Sequence, residues 1–324
     1  MQPQPHSDSK IRWGITGTGF IARHFAGDLK FAPNAELYAV SSRSAEKARE
    51  FAGEFKIKKY YSSYNEMLAD KNVDIVYIAT PNHRHAPESI AALNAGKAVL
   101  CEKPFALNSA ELQGIIDVAR EKNLFLMEAL WTEFLPSFRK FIELANNGSI
   151  GEPMLLRADF GFNSPFNSES RLYDPKQGGG SIYDIGIYPL FAALKLFGEP
   201  QILQTIKIPS PTGVDSTALI QTRHQNDKVA MLASSFSVDL DTEANLYGTK
   251  GKLTLSKCFH IPTKLTLQNE AGTQIFEFPK VGNGYQYEAI AAMEAIEKGL
   301  TECPAWNLEQ SKQLMRMVDR AVEP

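Results

Sequence analysis

The chain has 324 residues, 44% hydrophobic and 22% charged, with 34 Lys and Arg against 37 Asp and Glu for a formal net charge of −3. That balance excludes the basic footprint of a nucleic-acid binder, and no run of about 18 apolar residues is available to span a membrane as a helix. Three widely spaced cysteines, Cys101, Cys258 and Cys303, form no CxxC pair and point to a reduced, cytoplasmic protein without a structural disulfide.

The length suits two domains. Residues 1–10 are polar and hold two prolines, and they read as a flexible tail. Ile11 to Ala22 is an apolar run that turns at Gly17 and Gly19 into an amphipathic segment carrying Ile21, Phe25 and Leu29. It reads as strand, tight turn and helix. The spacing Gly17-x-Gly19-x-x-Ala22 fits the dinucleotide fingerprint: one glycine permits the turn, the next lets backbone approach a pyrophosphate, and the small third residue lets helix and strand pack closely. Gly17, Gly19, Phe20 and Ile21 are therefore candidate cofactor contacts, with the helix N-terminus as the anion site.

A second strand, Glu36 to Ser41, ends where the adenosine ribose of a dinucleotide belongs, and an NAD site there carries Asp or Glu for the 2′-hydroxyl. This chain has Ser41-Ser42-Arg43-Ser44. Ser42 and Arg43 suit an added 2′-phosphate, because Arg makes charge-assisted bonds to it and no carboxylate repels it, so NADP is favoured over NAD. The competing reading makes Ser44 only the N-cap of a helix over Ala45 to Phe55 and Arg43 a surface charge.

Val73 to Ala79 reads as a strand buried on both faces, delivering the loop Thr80-Pro81-Asn82-His83-Arg84-His85 to the carboxyl edge where α/β sheets bind ligands. No Cys or acidic cluster accompanies the two histidines, so no metal site is expected, and His85 is taken as a capping or cofactor-lining residue. A helix from Glu88 to Ala95, stopped at Gly96, leads to the strand Lys97 to Cys101, which brings Glu102-Lys103-Pro104 to the same edge. By position alone Lys103 is equally well a plain surface charge. A helix over Ser109 to Lys122 and the strand Leu124 to Glu128 complete a β-α-β-α series, which calls for a doubly wound parallel sheet, a Rossmann domain over residues 11–131.

After Trp131 to Pro136 and a helix over Ser137 to Asn146, the pattern changes to alternation: Met154 to Phe162, Ile202 to Ile208, Ser216 to Thr222, Val229 to Val238, Glu243 to Tyr247, Lys252 to Leu255, Lys264 to Leu267 and Ile275 to Phe278. Residues 132–324 are thus a second α/β domain with a large, open, mostly antiparallel sheet and helices at Tyr287 to Lys298 and Leu308 to Val322, the C-terminal helices being free to pack back on the first domain. Between its first two strands, Gly178-Gly179-Gly180 opens a segment read as one helix, with Tyr183, Ile187 and Leu190 on one face and Asp184 and Tyr188 four apart on another. That spacing sets a carboxylate beside a phenol. An exposed Asp and a half-buried Tyr on an ordinary helix would look the same. Trp131, Phe134, Phe160, Phe162, Phe166 and Tyr173 are open to three uses: lining a pocket for a sugar ring or cyclic diol, core packing, or a subunit interface.

Taken together, the fingerprint, Thr80-Pro81-Asn82 with His85, Gly96-Lys97 with Glu102-Lys103-Pro104, and the triple glycine with Asp184, Gly186 and Tyr188 resemble the glucose-fructose oxidoreductase/inositol dehydrogenase (Gfo/Idh/MocA) family over nearly the whole chain. Met127 to Thr132 with Phe134, Pro136 and Tyr188 are similar to its dihydrodiol dehydrogenase and NADP-xylose dehydrogenase branch, from which the chain departs at Glu133, where that branch is expected to have Arg. The resemblance implies a hydride-transferring oxidoreductase in which Lys103 binds the reacting oxygen, Tyr188 is general base or acid, and Asp184 orients the lysine or substrate. It further implies that Glu102 contacts the nicotinamide ribose and that Pro81, Asn82 and His85 line the nicotinamide. The open sheet would join subunits into a homodimer or homotetramer. A keto-sugar reductase running in the opposite direction and a non-catalytic NADP-binding sensor are the alternatives.

Overall fold

A computed structural model of the chain describes residues 10–323, so the expected tail lies outside them except for Lys10. Contacts divide the chain into two units: one ends at Phe134 and takes in Lys280–Lys312, and the other runs Leu135–Pro279 and takes in the residues from Gln313 onward. No helix among the described residues is long and apolar enough to cross a membrane.

The first unit alternates β1 (Ile11–Thr16), α1 (Phe20–Asp28), β2 (Ala35–Ser41), α2 (Ala45–Phe55), β3 (Lys59–Tyr61), α3 (Tyr64–Ala69), β4 (Ile75–Ile78), α4 (His85–Asn94), β5 (Ala98–Glu102), α5 (Ser109–Lys122) and β6 (Leu126–Ala129). The strands form one parallel sheet in the order β3-β2-β1-β4-β5-β6. All of β4 and β5 is buried, as expected for strands covered by helices on both faces. The order reverses at β1, which lies between β2 and β4, and that reversal is the switch point at which such sheets bind ligands.

The sequence reading contains no element between Phe55 and Val73, whereas β3 and α3 lie there. β3 is a three-residue edge strand with Lys59 and Tyr60 exposed, and α3 buries only Met67 and Leu68, so neither offers a hydrophobic period long enough to read. Helix α4 likewise starts at His85 rather than at Glu88.

In the second unit α6 (Pro136–Asn146) precedes β7 (Pro153–Gly161), α7 (Ile187–Phe197), β8 (Ile202–Pro209), β9 (Asp215–Arg223), β10 (Val229–Ser235), β11 (Ala244–Gly248), β12 (Gly251–Leu255), β13 (Lys264–Asn269) and β14 (Gly272–Glu277). Their order is β14-β13-β12-β11-β7-β10-β9-β8, antiparallel at every pair except β7–β10, which is parallel. Burial alternates along β9, with Ala218, Ile220 and Thr222 inside and Leu219, Gln221 and Arg223 outside. The outward face is unusually apolar for solvent: Ile206 (66% exposed) pairs with Leu219 (51%), and Ile208, Ile202 and Met231 are exposed on neighbouring positions.

The chain then enters α8 (Tyr285–Glu297) of the first unit, and the last helix, α9 (Leu308–Val322), begins in the first unit and belongs to the second from Gln313 onward. Asp28 at the end of α1 accepts bonds from the backbone N–H groups of Asn283 (2.7 Å) and Tyr285 (3.1 Å), which fixes the start of α8. Tyr285 stacks on Trp131 with ring centroids 4.3 Å apart.

Candidate active site

At the switch point Gly17 has φ +98°, and a Cβ there would lie 2.5 Å from the carbonyl oxygen of Ala79, so the turn needs glycine on both counts. At Gly19 a Cβ would meet nothing within 4 Å, leaving the backbone open to an approaching group. Gly19 is also the N-cap of α1 and brings no side-chain cap, so the first N–H groups of that helix remain available. Phe20 beside it is 73% exposed and Ile21 half-buried. This open, positively polarised cradle fits a dinucleotide pyrophosphate.

Beyond β2, Ser44 caps α2 by accepting from the Lys47 N–H (3.3 Å), and Ser42 Oγ accepts from the Ser44 N–H (3.4 Å). The capping role of Ser44 is therefore real. It leaves the Arg43 guanidinium exposed, with no ion pair to any described residue, at a strand end that carries no carboxylate from Ser41 to Ser44.

The loops after β4 and β5 are held to each other. His85 is 1% exposed, with Nδ1 2.7 Å from the Pro104 carbonyl oxygen and Nε2 2.8 Å from that of Thr80. The neutral ring has one N–H and donates to one of these two carbonyl oxygens while packing between both loops, and His85 starts α4 instead of capping it by a side-chain bond. Lys103 follows β5, with its N–H 3.3 Å from Glu102 Oε2, and the Phe105 N–H donates to Glu128 Oε1 on β6 at 3.2 Å. Glu128 also accepts from the Trp306 indole (3.1 Å), so the segment bearing Lys103 is tied down on both sides. Thr80 donates to Glu88 (2.8 Å), Asn82 is 8% exposed, and Pro81 is half-buried. Lys97 of the Gly96-Lys97 pair turns inward, donating to the carbonyls of Asp70 (2.7 Å) and Val73 (2.8 Å), which gives it a structural task.

Burial raises the Glu102 carboxyl, against the opposing pull of the Lys103 charge and the Tyr77 hydroxyl, which donates to it. Glu288 on α8 is pushed up in turn by burial and by the nearby Glu102 and Asp28 carboxyls. Burial pushes the His85 imidazole down to about 4, with its two carbonyl partners pulling the other way. The unfolded chain therefore binds a proton at His85 between pH 6.5 and 4 that the folded chain refuses, and stability is lost as pH falls through that window. Urea unfolding at pH 7 and pH 5 should show wild type losing about 2 kcal/mol more than His85→Gln, and equal losses would contradict the assignment.

In the second unit the expected regular helix is replaced by a π-helical turn, Ile182–Gly186, running into α7. The Gly186 Cα lies so close to β10 that a Cβ would come 3.0 Å from Ser234 Oγ, and the wider turn accommodates that approach. Asp184 thus lies within the π-helical turn and Tyr188 in the first turn of α7. Asp184 ion-pairs with Arg171 (3.0 Å), while Tyr188 is 5% exposed with its ring 5.7 Å from Phe160 and 5.3 Å from His260. Phe160 stacks on His260 at 4.3 Å. Phe162 joins Tyr173 and Phe236 in a small core, and Phe166, 48% exposed, meets Tyr173 edge-on.

Trp131 and Phe134 of the first unit are buried, 6% and 2% exposed, and Trp131 stacks on Tyr285. Glu133 is buried as well, at 8%. Arg171 and His260 were not singled out by the sequence, since neither belongs to a motif and only tertiary contact brings them to Asp184 and Phe160. Among the described residues no three His, Cys, Asp or Glu side chains gather to hold a metal.

Residues 11–130 match the model of an oxidoreductase family with an NAD-binding Rossmann fold, and residues 138–254 match that of the GFO/IDH/MocA C-terminal domain. A trans-1,2-dihydrobenzene-1,2-diol dehydrogenase of Mus musculus is 35% identical, covering 96% of this chain and 96% of its own. A 3-ketoreductase from Actinomadura kijaniata, solved with NADP and TDP-benzene, superposes with a TM-score of 0.86 at 26% identity, covering 97% of each chain. A levoglucosan dehydrogenase solved with NADH and levoglucosan shares the fold at a TM-score of 0.88 and 21% identity, over 97% of this chain and 96% of that one. With its glycine cradle, its braced lysine loop and both family domains in place, the chain belongs to the Gfo/Idh/MocA family of NAD(P)-binding oxidoreductases.

Proposed function

We propose that this oxidoreductase uses NADP and moves a hydride between the nicotinamide and a carbinol or carbonyl carbon of a sugar or cyclic diol. The observation that carries the cofactor choice is the end of β2, where an exposed Arg43 and Ser42 stand in place of an acidic residue. The substrate class follows the relatives: the mouse protein is named for a cyclic diol, and the Actinomadura protein is a ketoreductase solved with NADP.

In this reading Lys103 Nζ donates to the reacting oxygen and stabilises negative charge there. Tyr188 Oη takes the hydroxyl proton in oxidation and returns it in reduction. A free phenol ionises near pH 10, so an ammonium on the same oxygen is what brings that exchange towards neutrality. Asp184, steadied by Arg171, orients the lysine or a substrate hydroxyl. Glu102 contacts the nicotinamide ribose, and Thr80, Pro81 and Asn82 line the nicotinamide on the loop that His85 braces. Phe160 with His260 presents aromatic surface to substrate C–H groups, with Phe162 supporting Phe160 from the small core it shares with Tyr173 and Phe236. The bound nicotinamide supplies or accepts the hydride.

An initial-rate panel of aldoses, keto-sugars and cyclic trans-diols with NADP and NAD, in both directions, tests this. Turnover of at least one sugar or diol with NADP preferred about tenfold or more is expected. Cofactor binding without turnover of any member would mark a sensor instead.

The exposed apolar face of the second sheet is proposed to join copies of the chain into a homodimer or homotetramer. Ile206→Lys with Leu219→Glu should shift the mass seen by light scattering to that of a monomer. An unchanged mass would place the interface elsewhere.

A further inference from the structure

The glycines around the π-helical turn are explained by a carboxylate outside every sequence motif. Asp215, the first residue of β9, accepts from Ser181 Oγ (2.6 Å) and from the Ile182 N–H (2.8 Å) through Oδ2. Ser181 Oγ lies 2.8 Å from Ser234 Oγ on β10, and both serines are 0% exposed. Gly180 has φ +117°, and a Cβ there would fall 2.5 Å from Asp215 Oδ1, while Gly186 presses on Ser234. One carboxylate thus satisfies an orphan N–H at the start of the turn, complements the helix dipole, and ties the turn to two strands of the sheet. Gly179 completes the fit, since a Cβ there would come within 2.9 Å of the Arg171 and Leu172 carbonyl oxygens, on the loop whose guanidinium holds Asp184.

We infer that Asp215 is a positioning residue for the reaction, its carboxylate fixing the start of the π-helical turn and thereby the places of Asp184 and Tyr188. The inference rests on the reading of Tyr188 as the acid–base group. Asp215 itself meets no reacting atom and acts only through the turn.

The test is steady-state kinetics of Asp215→Ala, Asp215→Asn and Tyr188→Phe and of the double variant Asp215→Ala/Tyr188→Phe, each corrected for the fraction that binds NADPH by fluorescence titration. Asp215→Ala should lower kcat on the order of ten- to a hundredfold, since sub-ångström to ångström misplacement of a reacting group has that effect. The Kd for NADPH should stay within about twofold, because the cofactor residues lie in the first unit, and Asp215→Asn, which keeps an acceptor oxygen, should recover most of the rate. On the Tyr188→Phe background the same substitution should cost clearly less than in wild type, since the hydroxyl is gone and only the part that acts through Asp184 remains.

A kcat for Asp215→Ala within about twofold of wild type, or a loss that multiplies undiminished onto Tyr188→Phe, overturns the inference. Full activity in Tyr188→Phe overturns instead the acid–base reading on which it rests. Should Asp215→Ala fail to fold, Ser181→Ala removes one of the two bonds and leaves the carboxylate in place, and it is read by the same criteria.

Discussion

Tyr188→Phe should lower kcat by about 10²- to 10⁴-fold, the contribution expected of a positioned acid–base group. Phenylalanine keeps the ring against Phe160 and His260, so packing survives and only the hydroxyl is lost. Lys103→Ala should cost a similar factor, about 10²- to 10³-fold, by removing the donor to the developing oxyanion. Because both groups are assigned to one oxygen, their losses should not multiply: the double variant should fall little below the worse single one. Full multiplication would mean that the two act at different steps. Thermal unfolding of each variant, unchanged within a few degrees, separates chemistry from folding.

Arg43→Ala should reduce kcat/KM for NADP by about 10- to 100-fold, the equivalent of one lost charge-assisted contact to the 2′-phosphate. The same substitution should leave kcat/KM for NAD within about twofold, since NAD has no phosphate there. Cofactor preference would therefore collapse towards parity. Arg43 is exposed and ion-paired to no described residue, and α2 keeps its Ser44 cap, so the change has no structural route to a loss. An unaltered NADP preference would assign the phosphate contact elsewhere.

The first unit was the more legible half, for physical reasons. Its strands are short β-branched runs buried on both faces, as in Ile75 to Ile78, and its turns are dictated by glycines whose Cβ would strike backbone, as at Gly17. Edge elements such as β3 were invisible because three half-solvated residues carry no period. The eight-stranded sheet was legible through alternation. The π-helical turn was not, since it arises from the approach of Gly186 to Ser234 on a strand far away in sequence.

The same limit applies at the site. The fate of His85, a brace between the Thr80 and Pro104 carbonyls, depends on two loops meeting, and so does the pairing of Arg171 with Asp184. Local spacing named Asp184 and Tyr188, but partners supplied by tertiary contact determine what each can do. Trp131 is similar: it is an aromatic next to a motif, and its stacking on Tyr285 of α8 is invisible to local spacing.

The most direct test of the mechanism is a crystal structure of the chain with NADP and a sugar or diol that it turns over. The account predicts Lys103 Nζ and Tyr188 Oη both within about 3 Å of the same carbinol oxygen, with the carbon it bears facing nicotinamide C4. A carbinol oxygen bonded to neither side chain, or to only one with the other turned away, would contradict it.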